Sequence, residues 1–278
     1  MSWVTSEQPL REYEVVSYHD PAPLKPHRPL RDFGRRIGAL LVAAGTFLLK
    51  FGAVLYKLKV VAVAGSMIVS VGAYALLGGW WFGVGLVGLI FVHEMGHVLA
   101  LRRQGVPASA PLFIPFMGAV IGMKKMPENA WREAQVALAG PLLGSLGAAA
   151  LWAAGGYYHS RFLVALAFVG FLINLFNLIP VVPLDGGRAV AALHPAIWLL
   201  GLVGLVVLTV LRPSPILPFI IVIGSLELWR RWKARKLPGF AGYYRVTRWQ
   251  RTAVATAYLG LAALLVVAMN ATHVPSSF

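Results

Sequence analysis

Residues 60–92 contain no charged side chain. The hydrocarbon core of a bilayer takes about 20 apolar residues as a helix, so this run is too long for one crossing. Gly78-Gly79 offers the natural break. The run therefore divides into one span at about 60–77 and a second at about 80–102. In lipid every backbone N–H and C=O must find its partner within the chain, which makes both segments helices.

The remainder of the chain fits that constraint. The chain as a whole is 58% hydrophobic and 13% charged, with a mean hydropathy of +0.72, whereas soluble domains carry about a quarter charged residues. A net charge of +15 raises the question of nucleic acid. The basic residues, however, sit at the ends of apolar runs instead of forming one patch or stripe, which excludes that class and suits cytoplasmic loops. No cysteine is present, so a metal could be held only by His, Asp or Glu. The polar, proline-studded residues 1–36 do not read as a cleavable signal peptide. They are expected to form a mostly extended cytoplasmic tail, with a short strand at "YEVVSY".

Residues 37–56 are apolar but interrupted by Lys50 and followed by Lys57 and Lys59, and 37–59 is read as an interfacial or re-entrant helix. Beyond the second span, Pro107, Pro111 and Pro115 at four-residue spacing rule out an ordinary helix. The stretch "PFMGAVIGMKK" is expected to be a hairpin dipping into the membrane. Further apolar segments follow at about 133–156, 162–180, 194–211, 214–229 and 252–270, with a basic cytoplasmic loop at 230–251. The expected fold is an all-α polytopic membrane protein in which about six of these seven apolar segments are transmembrane helices, with a re-entrant hairpin between the second and third. Charge bias places the N-terminus in the cytoplasm, with Arg161 and Arg212 alone on the far side.

The second span carries "VHEMGHVLALRR", where ionisable groups are expensive and usually functional. His93 and His97 are four apart and so share a helix face, with Glu94 beside them. H-E-x-x-H supplies two imidazole ligands for zinc and a glutamate placed to act as general base. His93 lies 13 residues after Trp80, or about 20 Å along a helix, which sets it about 10 Å inside the cytoplasmic edge. A catalytic zinc site needs a third protein ligand. Asp185, in "NLFNLIPVVPLDGGRAV", follows a span on the same side of the membrane, where prolines and glycines break the helix and let the carboxylate turn inward. Glu133 and Glu227 sit at span ends beside arginines, where surface ion pairs are expected. His194 lies on a segment that does not reach the pair, and His159 and His273 belong on the opposite side.

H-E-M-G-H in the second long span, together with N-x-x-P-x-x-P-L-D-G-G from Asn177 to Gly187, resembles the site-2 protease family of intramembrane zinc metalloproteases. The likeness covers about 60–190 and includes "ALAGPLLG" at 137–144, similar to that family's small-residue span. The resemblance implies one zinc ion held by His93, His97 and Asp185, with Glu94 as catalytic base and peptide hydrolysis inside the membrane. It implies a second catalytic residue in Asn177, hydrogen-bonding the substrate backbone or the developing oxyanion. Asn174, one turn earlier, is the less favoured stand-in for that role, with a helix–helix hydrogen bond as its ordinary one. The family's strand-presenting hairpin corresponds to roughly 106–126. Implied partners are the lipid bilayer, transmembrane segments of protein substrates and a regulatory membrane protein. The implied location is the cell membrane, with the site near the cytoplasmic side. The PDZ and CBS domains of many members are not expected here, since the longest polar stretches run to about 36 and 22 residues. The segments of 191–278 are peripheral to the family core. Two rival readings are weaker: an ion transporter needs ionisable residues stepped across the whole bilayer, and an inert scaffold needs no Glu94.

Overall fold

The computed structural model describes residues 29–273, apart from Lys124, Pro195, Pro213, Pro215, Arg235 and Leu237. The strand expected at "YEVVSY" lies outside the described residues. The chain divides into two compact units, Met1–Tyr56 and Lys57–Phe278. Of the first, the described part is the beginning of helix α1 (Pro29–Gly78). Residues 37–56 thus fall within α1 and not in a separate short helix, and Lys57-Leu58-Lys59 offers no glycine or proline to break it.

The Gly78-Gly79 break is where the sequence places it. Gly79 has φ 82, a left-handed conformation open to glycine at little cost, and it separates α1 from α2 (Trp80–Arg103). The far end of α2 is closed by Gly105 at φ 70. There Val106 N–H donates to Leu101 O at 3.0 Å and Gly105 N–H to Arg102 O at 3.0 Å, a Schellman cap that satisfies the last carbonyls.

The proline-rich stretch that follows forms strands β1 (Leu112–Ile114) and β2 (Gly118–Val120), paired antiparallel with Phe113 opposite Ala119. Among the described residues, this two-stranded hairpin is the exception to an all-helical fold. Its three-residue connection carries Phe116 at φ 63 and ends on Gly118 at φ 91. Phe113 N–H points away from β2 and donates to Ser66 Oγ of α1 at 3.1 Å, while the Phe113 ring is buried with Tyr74, Leu86, Val87 and Ile90.

Helix α3 (Ala130–Tyr157) starts at Asn129, whose side chain accepts from Arg132 N–H at 3.0 Å, and α4 (Arg161–Asn177) starts at Ser160. A short turn leads to α5 (Asp185–Val190), followed by α6 (Ile197–Leu211), α7 (Ile216–Ala234) and α8 (Phe240–Tyr243). The last helix, α9 (Arg248–Thr272), opens with a reciprocal Thr247–Gln250 capping box. Helix α3 packs between α2 and α4, and α9 lies against α4 and α3. Leu89, Ala148, Leu166, Phe171 and Leu265 fill the space where these four meet.

Among the described residues, four helical segments are long and apolar enough to cross a membrane: Val60–Gly78, Trp80–Arg103, Ala130–Tyr157 and Arg248–Thr272. Two shorter apolar helices, Arg161–Asn177 and Ile197–Leu211, accompany them. This is a polytopic membrane protein, coarser in its spans than the sequence count of about six. Helix α7 carries Glu227, Arg230, Arg231 and Lys233 in its C-terminal half and is not among the four.

Candidate metal centre

Helix α2 delivers both histidines to one buried point. His93 is 5% and His97 6% exposed, and their rings meet edge to face with centroids 4.9 Å apart. Each ring is fixed by its outer nitrogen. His93 Nδ1–H donates to Asn174 Oδ1 at 2.8 Å, and His97 Nδ1–H donates to Val136 O at 2.8 Å. Asn174 is itself oriented, because its Nδ2 donates to Gly170 O at 2.8 Å and leaves Oδ1 for the imidazole. A neutral imidazole carries one proton, so both Nε2 atoms are left as lone pairs.

Those lone pairs face each other at 3.1 Å and face Asp185 Oδ2 at 3.0 and 3.1 Å. With both imidazoles neutral, three acceptors converge with no donor among them. A cation at the centre resolves that repulsion. Zinc bonds of about 2.0–2.2 Å at tetrahedral angles set ligand atoms about 3.3–3.5 Å apart, so the cradle lies a few tenths of an ångström inside that spacing. The donor set, two imidazole nitrogens and one carboxylate oxygen with no thiolate available, suits zinc. His93, His97 and Asp185 form the one group of three such residues, among those described, that could hold a metal ion. Glu94 follows His93 in α2 and is buried at 9% exposure beside them.

Small residues make the approach of the helices close enough. A Cβ added at Gly140 would run into the His97 ring, one at Gly144 into the Asn174 amide, and one at Gly96 into the Ala139 backbone. Gly186 and Gly187 do the same for α5. A Cβ at either would meet the backbone of 178–182, so their role is close packing as much as breaking a helix. Asp185 therefore opens a six-residue helix pressed onto the turn that follows α4.

The remaining sequence candidates fall as follows. Asn177 lies on α4 with its Nδ2 donating back to Ile173 O at 3.1 Å. Asn174, read from sequence as a helix–helix hydrogen-bonding residue, makes such a bond from α4 to His93 of α2. Glu227 pairs with Arg231 Nε at 3.0 Å in a partly exposed position. Glu133 differs from expectation. It is 1% exposed and accepts from Arg188 Nε at 3.3 Å and from Tyr243 Oη at 2.7 Å, so it is a buried hub and not a surface ion-pair partner. Burial, and then the Glu133 carboxylate beside it, push the Tyr243 phenol well above its ordinary range, so it stays a donor. His194 is exposed and accepts from Ala196 N–H at 3.1 Å, and His159 is exposed at the end of α3, both outside the cluster. His273 lies after α9 with its ring near Phe168 at 5.6 Å. Asn174 had one signal in the sequence: an amide inside the apolar run "FLINLFN" requires a partner.

Comparison with known proteins converges on the same segment. The model of peptidase family M50 matches residues 81–160 and 153–199. Rip3 of Mycobacterium tuberculosis is 36% identical over 137 residues, covering 44% of this chain and 34% of that protein. MJ0392 of Methanocaldococcus jannaschii is 29% identical over 109 residues, covering 37% and 31%. EGY1 of Arabidopsis thaliana, a chloroplast protein by name, is 28% identical over 155 residues, covering 38% and 28%. All three carry zinc-metalloprotease names. The chain spans about a third of the length of the curated relatives it matches.

Proposed function

We propose that this chain, whose residues 81–199 belong to peptidase family M50, is a zinc metalloprotease that hydrolyses peptide bonds within or near transmembrane segments of other proteins. The observation that carries the reading is the set of three acceptors at 3.0–3.1 Å, formed because Asn174 and Val136 hold both Nδ1 protons on the outside. His93, His97 and Asp185 would hold the ion. Bound there, zinc supplies a Lewis acid that polarises a peptide carbonyl and makes water acidic enough to be deprotonated near neutral pH.

The protein's own groups do the rest. Glu94 is the general base: its carboxylate takes a proton from the attacking water and returns it to the leaving amine. Asn177 is the candidate donor to the carbonyl oxygen as negative charge builds on it. This requires its amide to leave the Ile173 carbonyl it now serves. Burial of His93, Glu94 and Asp185 keeps bulk water from competing with a bound peptide.

A transmembrane helix hides its carbonyls in intrahelical bonds, so a substrate must unwind locally before it is cut. The β1–β2 hairpin can replace the bonds lost. In the observed register Phe113 and Ala119 form the pair that does not exchange hydrogen bonds, so the N–H and C=O of Ala119 point outward from β2. That edge suits strand addition, whereas the β1 edge is engaged by Ser66. We place the site near the cytoplasmic side, with the N-terminus in the cytoplasm, about six spans and the hairpin within the membrane, on the charge bias of the loops. The decisive experiment reconstitutes the chain with zinc and a peptide carrying a glycine-containing transmembrane segment. Cleavage by the wild type and none by Glu94→Gln is the expected outcome; cleavage that persists in Glu94→Gln rejects the proposal.

A further inference from the structure

The third ligand is the least secured of the three by its own element. His93 and His97 ride on a 24-residue helix. Asp185 sits at the first position of a six-residue helix whose N-cap, Leu184, offers no side-chain bond. So short a helix does not hold itself. Its support comes from elsewhere, along two routes.

One route starts at the carboxylate. Asp185 turns Oδ2 to the imidazoles, and its Oδ1 lies 3.9 Å from Arg188 Nη1. Arg188 Nε donates to Glu133 Oε1 at 3.3 Å. Glu133 takes a hydrogen bond from Tyr243 Oη at 2.7 Å on its other oxygen and has Arg231 Nη2 at 3.9 Å. Arg231 in turn donates to Tyr244 Oη at 3.1 Å. The second route is through the backbone. Trp198 Nε1 donates to Gly187 O at 2.6 Å, and the Arg231 guanidinium stacks over the Trp198 ring at 4.9 Å. Both routes end on Arg231, and Arg231, Tyr243 and Tyr244 all lie past residue 199, where the family match stops.

We infer that this chain of contacts, Arg188 to Glu133 to Tyr243 and Arg231, positions the Asp185 carboxylate as the third metal ligand, so that the C-terminal helices are a working part of the metal centre. The inference rests on the metalloprotease reading of His93, His97 and Asp185. Its physical content is electrostatic orientation from the outer layer: a guanidinium 3.9 Å from the free oxygen of the carboxylate favours the orientation that keeps the other oxygen aimed at the ion. The guanidinium keeps that position only while Glu133 holds its Nε side, and Glu133 is held at 1% exposure only while Tyr243 and Arg231 satisfy it. A network that merely glued helices together would lower the stability of the metal-free protein and leave metal affinity alone.

The test uses the full chain in detergent, with three measurements on each of wild type, Glu133→Gln and Tyr243→Phe. These are zinc affinity by competition with a chromophoric chelator, the visible spectrum of the cobalt-substituted protein, and the melting midpoint without metal. Glu133→Gln should weaken zinc binding by about 10–100-fold and alter the cobalt bands. Tyr243→Phe, which removes a single hydroxyl, should move both in the same direction by the low end of that range or less, with little change in the metal-free midpoint. Should Glu133→Gln fail to fold, Tyr243→Phe decides alone. Affinity and cobalt spectrum unchanged in every folded variant, beside a wild type that binds one zinc, overturn the inference and leave the protease reading standing. A wild type that takes up no zinc overturns both.

Discussion

Asn174 is the residue on which the geometry of His93 depends, and replacing it by leucine isolates that dependence. Leucine has the branching and heavy-atom count of asparagine, and Asn174 is 2% exposed, so the change removes the acceptor without leaving a large void. His93 Nδ1–H then loses its partner at 2.8 Å. A buried donor left unsatisfied costs about 1–3 kcal/mol. The imidazole can avoid that cost by moving its proton to Nε2, which ends its ability to bind metal. Either way the loss appears in the metal-bound state, and about 1–3 kcal/mol corresponds to roughly 5–150-fold in zinc affinity. The second bond of Asn174, from Nδ2 to Gly170 O at 2.8 Å, is made to a carbonyl within its own helix, so its loss leaves no buried acceptor bare. Zinc affinity by chelator competition is the assay, with Asn174→Asp as the counterpart. A carboxylate keeps the acceptor and should restore binding to within a few-fold of wild type. Zinc affinity unchanged in Asn174→Leu would show that the Nδ1 bond does not set the tautomer, and the account of the three converging acceptors would fall.

Other substitutions read out separate parts. His97→Ala and Asp185→Ala should each abolish stoichiometric zinc, whereas Glu94→Gln should retain it and lose about 10²–10⁴-fold or more in cleavage rate; elemental analysis with a peptide assay checks both. Gly140→Ala would place a methyl group in the His97 ring, so zinc occupancy should fall with a cost of about 1–3 kcal/mol from overpacking. Full zinc occupancy in Gly140→Ala would contradict that account. Ala119→Pro removes the N–H on the outer edge of β2 and should reduce cleavage of a transmembrane substrate while zinc binding stays at one per chain. Equal loss of both would mean that the hairpin acts through the fold and not through substrate pairing.

The charge-free run and its glycine pair were enough to locate α1's membrane segment and α2, because in lipid a backbone has so few ways to satisfy itself. H-E-M-G-H, read on a helix, was enough to place two imidazoles on one face, since spacing along a helix is a local property. Asp185 was legible as a candidate through the prolines and glycines around it. What could not be read was anything that depends on which helix face meets which. Asn174 and Asn177 lie three residues apart in one apolar run, and only the packing of α4 on α2, with Gly144 cleared to admit the amide, selects Asn174 for His93. Glu133 looked like a surface charge because sequence shows its neighbours in the chain and not Tyr243, 110 residues away. Local chemistry thus determined the first two long apolar helices and the residue types that could hold a metal ion. Tertiary packing alone decided which nitrogen of each imidazole points inward, because that choice is made by a carbonyl or amide on another helix.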